Sequence, residues 1–203
     1  MPAAIILLTG ATEAPYLTDA LRSHADDLRV EHVADTETLC RAVETAKDPV
    51  RLIAFSTNVI VPKPCIDTLN APAYNFHAGP PAYPGVESAA FAVHEGAATF
   101  GVTVHEIASA VDSGQIVHTE TFPVDAGITG ADLQGQAYQA LLEAFFTLAK
   151  RLASDFRPLP RISETWSGPV RTRREAERLR NEIDGLNADE IARRRRAFGP
   201  PNQ

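Results

Sequence analysis

The chain has 203 residues, 44% of them apolar and 22% charged, with 12 Gly, 15 Pro and a formal net charge of −7. That length can bury a sizeable core, and a composition this apolar excludes a disordered, solvating chain. No apolar run approaches the roughly 18–20 residues of a membrane span, and Met1 to Gly10 lacks the basic start of a secretory leader.

Taken in chain order, the first hundred residues alternate strand and helix. Ala3 to Leu8 is a near-continuous apolar run, the pattern of a strand buried on both faces of a parallel sheet. Thr9-Gly10-Ala11-Thr12 turns the chain, and Leu17, Ala20, Leu21 and His24 mark a helical face. Leu28 to Val33 reads as a second strand. A helical stripe of Leu39, Val43 and Ala46 follows, entered at Thr36 with Asp35 and Glu37 at its N-terminal end. Val50 to Phe55 is the third strand. Val61-Pro62-Lys63-Pro64 is expected to be extended, because residues before proline avoid the helical region. Ala73 to His77 is a short strand leading into a proline-rich loop, and Glu87 to His94 is a helix closed by Gly96. Phe100 to Ile107 and Gln115 to Val124 alternate cleanly on either side of a turn at Asp112-Ser113-Gly114, predicting an antiparallel pair. Thr129 to Leu152 is the longest helix. A linker from Phe156 to Pro160 precedes two short charged helices around 171–183 and 188–197. The rhythm predicts a Rossmann-like, mostly parallel twisted sheet flanked by helices, with the antiparallel pair near 100–124. Residues 1–155 form the expected domain, and 156–203 a linker and helical C-terminal extension.

Charge divides along the same line. Residues 157–203 hold 11 Arg against 7 acids, and residues 1–156 hold 8 basic against 19 acidic side chains. An acidic body is a poor nucleic-acid scaffold, since phosphate binding begins with neutralisation by Lys and Arg. Arg193 to Arg196 point around most of a helix and form no single stripe. They read as a basic helix end, with docking of an anionic substrate as the functional alternative. Cys40 and Cys65, 25 apart and without a Cys-x-x-Cys, read as buried thiols in a reducing compartment. No Cys or His pair has metal-ligand spacing, and no Gly-x-Ser-x-Gly elbow is present.

Chemistry concentrates at Asn75-Phe76-His77. Side chains two apart on a strand share a face, so Asn75 and His77 project together while Phe76 enters the packing. Strand ends of open α/β sheets are where ligands bind. An amide donor beside an imidazole suits a carbonyl becoming tetrahedral, and the pair lacks only a carboxylate to handle a proton, for which Asp112 is the best-placed candidate. His105 could line the same pocket but reads more simply as a hydrogen-bonded histidine within the sheet; His94 reads as a helix-end residue.

The run from Asn75 to Gly85, then Gly101-Val102-Thr103-Val104-His105-Glu106-Ile107, then Val111-Asp112-Ser113-Gly114 resembles the folate-dependent formyltransferase family. There, an Asn-x-His-Pro-Ser-Leu-Leu-Pro stretch precedes a Gly-Val-Thr strand and an Asp-x-Gly turn. The resemblance covers roughly residues 1–155. It implies that Asn75 donates to the formyl oxygen of 10-formyltetrahydrofolate, that His77 stabilises the oxyanion, and that Asp112 favours the protonated ring and relays a proton. It also implies that the pteridine lies against backbone groups of Val59-Ile60-Val61 and of Ile107-Ala108 through Val111. Two departures stand out: Pro-Ser-Leu-Leu-Pro is Ala78-Gly79-Pro80-Pro81-Ala82, and the Asp-Glu pair before the catalytic Asp is Ser109-Ala110. A single glycine, Gly10, follows the first strand, too sparse for the phosphate loop of the glycinamide ribonucleotide branch. The segment after 155 reads helical, unlike the C-terminal barrel of the methionyl-tRNA branch. The resemblance therefore implies cytoplasmic formyl transfer to a primary amine of a small molecule, an anionic acceptor being one option, with no metal and no membrane partner. Hydrolysis of the same donor, or folate binding without turnover, are the alternatives.

Overall fold

Continuous apolar runs build the centre of the sheet. In the computed structural model, which describes residues 4–46 and 49–201, Ala4–Leu8 (β1) and Val50–Phe55 (β3) are buried almost throughout. With Arg29–Val33 (β2), Tyr74–His77 (β4), Thr99–Glu106 (β5) and Ile116–Pro123 (β6) they make one six-stranded sheet in the order β2-β1-β3-β4-β5-β6. Parallel pairing joins β1 to β2 and β3, and β3 to β4, with Leu8 beside Val33 and Ala54, and Phe55 beside Phe76. The Glu106 N–H donates to the Gln115 carbonyl, and Gly101 lies against the Glu120 carbonyl. These facing positions add to one constant total, the signature of an antiparallel β5–β6 pair. The helices are α1 (Ala14–Arg22), α2 (Thr36–Thr45), α3 (Lys63–Thr68), α4 (Ser88–Glu95), α5 (Gly130–Ser154), α6 (Arg173–Asn181) and α7 (Ala188–Phe198). No helix among the described residues is long and apolar enough to cross a membrane. The mostly parallel sheet, its antiparallel pair and the flanking helices agree with the fold read from the sequence.

One local expectation is corrected. Lys63, expected to be extended, opens α3 instead. Pro62 stays extended as the N-cap, and Pro64 sits in the first turn, where its missing N–H has no intrahelical partner to lose. At α2 the Asp35 carboxylate caps the helix, accepting from the Thr38 N–H at 2.8 Å, and this bond with the Thr38 hydroxyl lowers its pKa.

The chain divides into two compact units, one of Met1–His77, Val104–His118 and Leu142–Ser163, the other of Ala78–Thr103, Thr119–Leu141 and Glu164–Gln203. In the first, Phe55, Phe76 and Phe145 form an aromatic cluster, with centroids 5.8, 5.6 and 5.2 Å apart. Phe76 thus turns into the packing, as its place between Asn75 and His77 predicts. The same unit buries a charge: Arg51, the second residue of β3, is fully enclosed. Its Nε donates to the Pro72 carbonyl, Nη1 to those of Leu152 and Asp155, and Nη2 to that of Arg157, at 2.9–3.3 Å. The guanidinium also lies over the rings of Tyr74 and Phe156, 5.4 and 4.9 Å from their centroids. Arg51 therefore ties the exit of α5 to β3.

In the second unit the C-terminal segment is strapped along the proline-rich loop. Ser167 N–H donates to the Pro81 carbonyl, Arg171 N–H to that of Pro84, and Val86 N–H to that of Arg171. Gly85, with φ of 98°, lies so close that a Cβ would stand 2.1 Å from the Arg171 carbonyl oxygen. Further along, α7 packs on α4 through Phe198 against Phe91, edge to face with centroids 5.2 Å apart. The arginine run of α7 divides in role: Arg193 and Arg194 pair with Glu190, which also meets His94 at 3.3 Å, while Arg195 and Arg196 are exposed.

The hydrogen bond from Arg194, with those from Arg193 and His94, holds the Glu190 carboxyl down at about 2, against 4.5 unperturbed. A carboxylate with a depressed folded-state pKa contributes stability that is complete above its unfolded value and is lost as pH falls through the folded one. Acid should therefore weaken the protein between about pH 4.5 and pH 2 partly through α7. Glu190→Gln should flatten that part of a plot of melting temperature against pH; an unchanged plot would remove Glu190 from the account.

Candidate active site

The end of β4, the end of β5 and the turn that follows it bring together four side chains, all within the first unit. One oxygen of the Asp112 carboxylate, Oδ2, lies 3.4 Å from His77 Nδ1, and the other, Oδ1, lies 3.2 Å from His105 Nε2. Asn75 Nδ2 is 3.1 Å from His105 Nε2 and 3.5 Å from Asp112 Oδ1. His77, His105 and Asp112 are each less than a tenth exposed. The three residues singled out in the sequence thus meet around one carboxylate. The fourth, His105, reads from the sequence as a histidine satisfied within its strand. Its one signal is the alternation of β5, which puts it on the same strand face as Thr103; which face meets Asn75 depends on the pairing of β4 and β5.

The backbone explains how Asp112 gets there. Asp112 has φ of 42°, in the left-handed region that a residue with a side chain enters only at a cost of order 1–3 kcal/mol. Ser113 Oγ donates to the Ala110 carbonyl, and the Glu106 N–H to that of Gln115, closing the turn. Gly114 lets the two arms approach, since a Cβ there would stand 1.7 Å from the Glu106 carbonyl oxygen. The same oxygen also lies 2.8 Å from His105 Nδ1. A carbonyl can only accept, so Nδ1 carries a proton. Nε2 of His105 then accepts from the Asn75 amide when the ring is neutral, or donates to Asp112 when it is protonated.

This linkage predicts an effect from a residue that touches no reacting group. Gly114→Ala should push the Glu106 carbonyl away from His105 and lower kcat by about a hundredfold, the usual penalty for misplacing a site by about 1 Å. Nitrogen NMR of the histidine rings should show His105 losing its Nδ1–H preference. Full activity with the tautomer preserved would refute the linkage.

The expected donor-binding residues lie on two segments with a shared base. Val59, Val61 and Ile107 pack against one apolar cluster that includes Leu8, Leu52, Ala54 and Cys65. Ile60 and Val111, by contrast, are 70% and 42% exposed. Ala108 is half-buried beside Ile107. Two of the backbone donors are committed internally, Val59 N–H to Thr57 Oγ1 and Ile107 N–H to the Ala73 carbonyl. Among the described residues, no group of three or more His, Cys, Asp or Glu side chains is arranged to hold a metal ion.

With this fold and this cluster in view, comparison with known proteins places the chain: it belongs to the formyl transferase family, whose model matches residues 18–146. A curated relative, methionyl-tRNA formyltransferase of Enterococcus faecalis, is 26% identical over 173 residues, covering 83% of this chain and 54% of its own. The chain spans about half the length of the curated relatives it matches. Among solved structures, a sugar N-formyltransferase from Shewanella sp. superposes with a TM-score of 0.77 at 13% identity, over 96% of this chain and 86% of the other. An N-formyltransferase from Helicobacter canadensis, in complex with folinic acid and dTDP-3-aminofucose, gives 0.70 at 17% identity, over 98% and 81%.

Proposed function

We propose that the chain transfers a formyl group from 10-formyltetrahydrofolate to a primary amine of a small molecule, and that Asn75, His77 and Asp112 carry the chemistry. The observation behind this reading is the buried Asp112 carboxylate shared between two imidazoles beside an amide. The neutral amine attacks the formyl carbon, and negative charge develops on the formyl oxygen. Asn75 and the Nε2–H of protonated His77 donate to that oxygen, with Asp112 accepting from Nδ1 on the other side of the ring. The amine's excess proton passes to Asp112 and from it to the folate nitrogen, whose bond to the formyl carbon breaks so that the nitrogen leaves protonated. His105 holds Asn75 and Asp112 in place. Ile60 and Val111, large apolar side chains left in water, suit the flat face of a folate-type donor.

Support for the donor and the acceptor class comes from the Helicobacter enzyme, whose structure contains folinic acid and a nucleotide-linked amino sugar. The test is to supply 10-formyltetrahydrofolate with a nucleotide-linked amino sugar, with methionyl-tRNA, or with no acceptor, and to identify the formylated product by mass spectrometry. Formyl on the amino sugar is expected. Product on methionyl-tRNA alone would move the acceptor to that of the curated relatives. Free formate at the same rate without acceptor would replace transfer by hydrolysis.

A further inference from the structure

The two cysteines, 25 apart in sequence, meet in the fold. α2 and α3 pack together and place Cys40 Sγ 2.8 Å from Cys65 Sγ, both as free thiols. A disulfide brings its sulfurs to about 2.05 Å, so bonding asks for a movement of under about 1 Å. Cys40 is half-buried and Cys65 is 6% exposed. Burial, and then the hydrogen bond to Cys40, pushes the Cys65 thiol up to about 11, so Cys65 is a poor first nucleophile at neutral pH. The more accessible Cys40 is the sulfur an external disulfide reaches first.

What lies around the pair gives it a lever. Cys65 belongs to the apolar cluster on which Val59, Val61, Ile107 and Cys40 itself pack. α3 is only six residues long and follows Val61 after a single residue, Pro62. A covalent tie at Cys65 therefore acts on the segment immediately before it.

We propose that Cys40 and Cys65 are a modification site that forms a reversible internal disulfide, fixing α3, and with it Val59–Val61, against α2. The oxidant is a small disulfide of the glutathione type. The Cys40 thiolate attacks one of its sulfurs, breaking that S–S bond and releasing one small thiol. Cys65 then gives up its proton, attacks the Cys40 sulfur of the mixed disulfide, and releases the second small thiol. Two protein thiols are oxidised and one small disulfide is reduced to two thiols. The consequence for donor affinity rests on the reading of Val59–Val61 as part of the donor site.

The experiment equilibrates the full chain with mixtures of oxidised and reduced glutathione, traps free thiols by alkylation, and reads intact and peptide masses. Expected is a species lighter by two hydrogens, with a linked Cys40–Cys65 peptide that dithiothreitol undoes. Cys65→Ala should stop at a glutathione adduct on Cys40, and Cys40→Ala should stay unmodified while folded. Wild type that accumulates the Cys40 adduct with Cys65 still alkylatable after unfolding, or that stays fully reduced in oxidised glutathione alone, overturns the proposal. Calorimetry with a stable 10-formyltetrahydrofolate analogue on both redox forms should give Kd values differing about threefold or more. A disulfide that forms with Kd unchanged overturns the coupling. No binding by either form sinks the donor reading and leaves the mass result standing.

Discussion

Asp112→Asn should lower kcat by about a thousandfold, some 4 kcal/mol of lost transition-state stabilisation, while the Kd for a folate-type donor changes by less than about tenfold. The substitution keeps the size and planarity of the side chain, and Asn tolerates the left-handed backbone at this position at least as well as Asp does. What it removes is the charge between His77 Nδ1 and His105 Nε2, and with it the oxygen proposed to take up the amine's proton. One of the two histidine contacts would face an amide N–H instead of an acceptor. His77→Ala should be comparable in rate loss, for the separate reason that it removes the proposed donor to the oxyanion. Steady-state kinetics paired with calorimetry separates the cases. Equal losses of rate and binding would make these residues structural, and a variant with near-normal kcat would take Asp112 out of the chemistry.

Arg51→Met should destabilise the first unit strongly, by about 3–5 kcal/mol after partial relaxation of the carbonyls it leaves unpaired. The apolar replacement fills much of the space but leaves the carbonyls of Pro72, Leu152, Asp155 and Arg157 without the donor that serves all four. Each buried acceptor left unpaired carries a desolvation penalty of about 1–3 kcal/mol, reduced wherever the chain end can relax toward water. At the usual entropy of unfolding for a chain of this size the melting temperature should fall by roughly 10 °C. Arg51→Lys should recover little, because an ammonium has neither the planar fork nor the stacking on Tyr74 and Phe156. Thermal and urea melts of the two variants decide it. A loss below about 1 kcal/mol in Arg51→Met would mean that the exit of α5 holds without the clip.

Much of this architecture can be read from the chain. The run of Ala4 to Leu8, the third strand at Val50 to Phe55, and the alternation either side of Asp112 announce themselves because local burial pattern and strand period coincide. Asn75 and His77 are legible as one strand face and Asp112 as a turn beside glycine, but it is the resemblance to the formyltransferase family that joins the three into one site. Other features depend on contacts that no local pattern encodes. Arg51 sits in a run that reads as core, and three of its four carbonyl partners lie more than a hundred residues away. His105 joins the cluster only through strand pairing. The meeting of Cys40 and Cys65 needs the short α3, hidden by the prolines that suggest extended chain around it.

The strap along the proline-rich loop has a consequence for how the protein is made. Gly85 and Arg171 are 86 residues apart, and the loop takes its last backbone bonds from Ser167 and Arg171. During synthesis, residues 81–86 leave the ribosome long before Arg171 exists, so this loop cannot reach its final form until Ser167 and Arg171 have followed it out. A chain halted at residue 163 has all six strands synthesised and none of the strap, so its loop would still be open to protease.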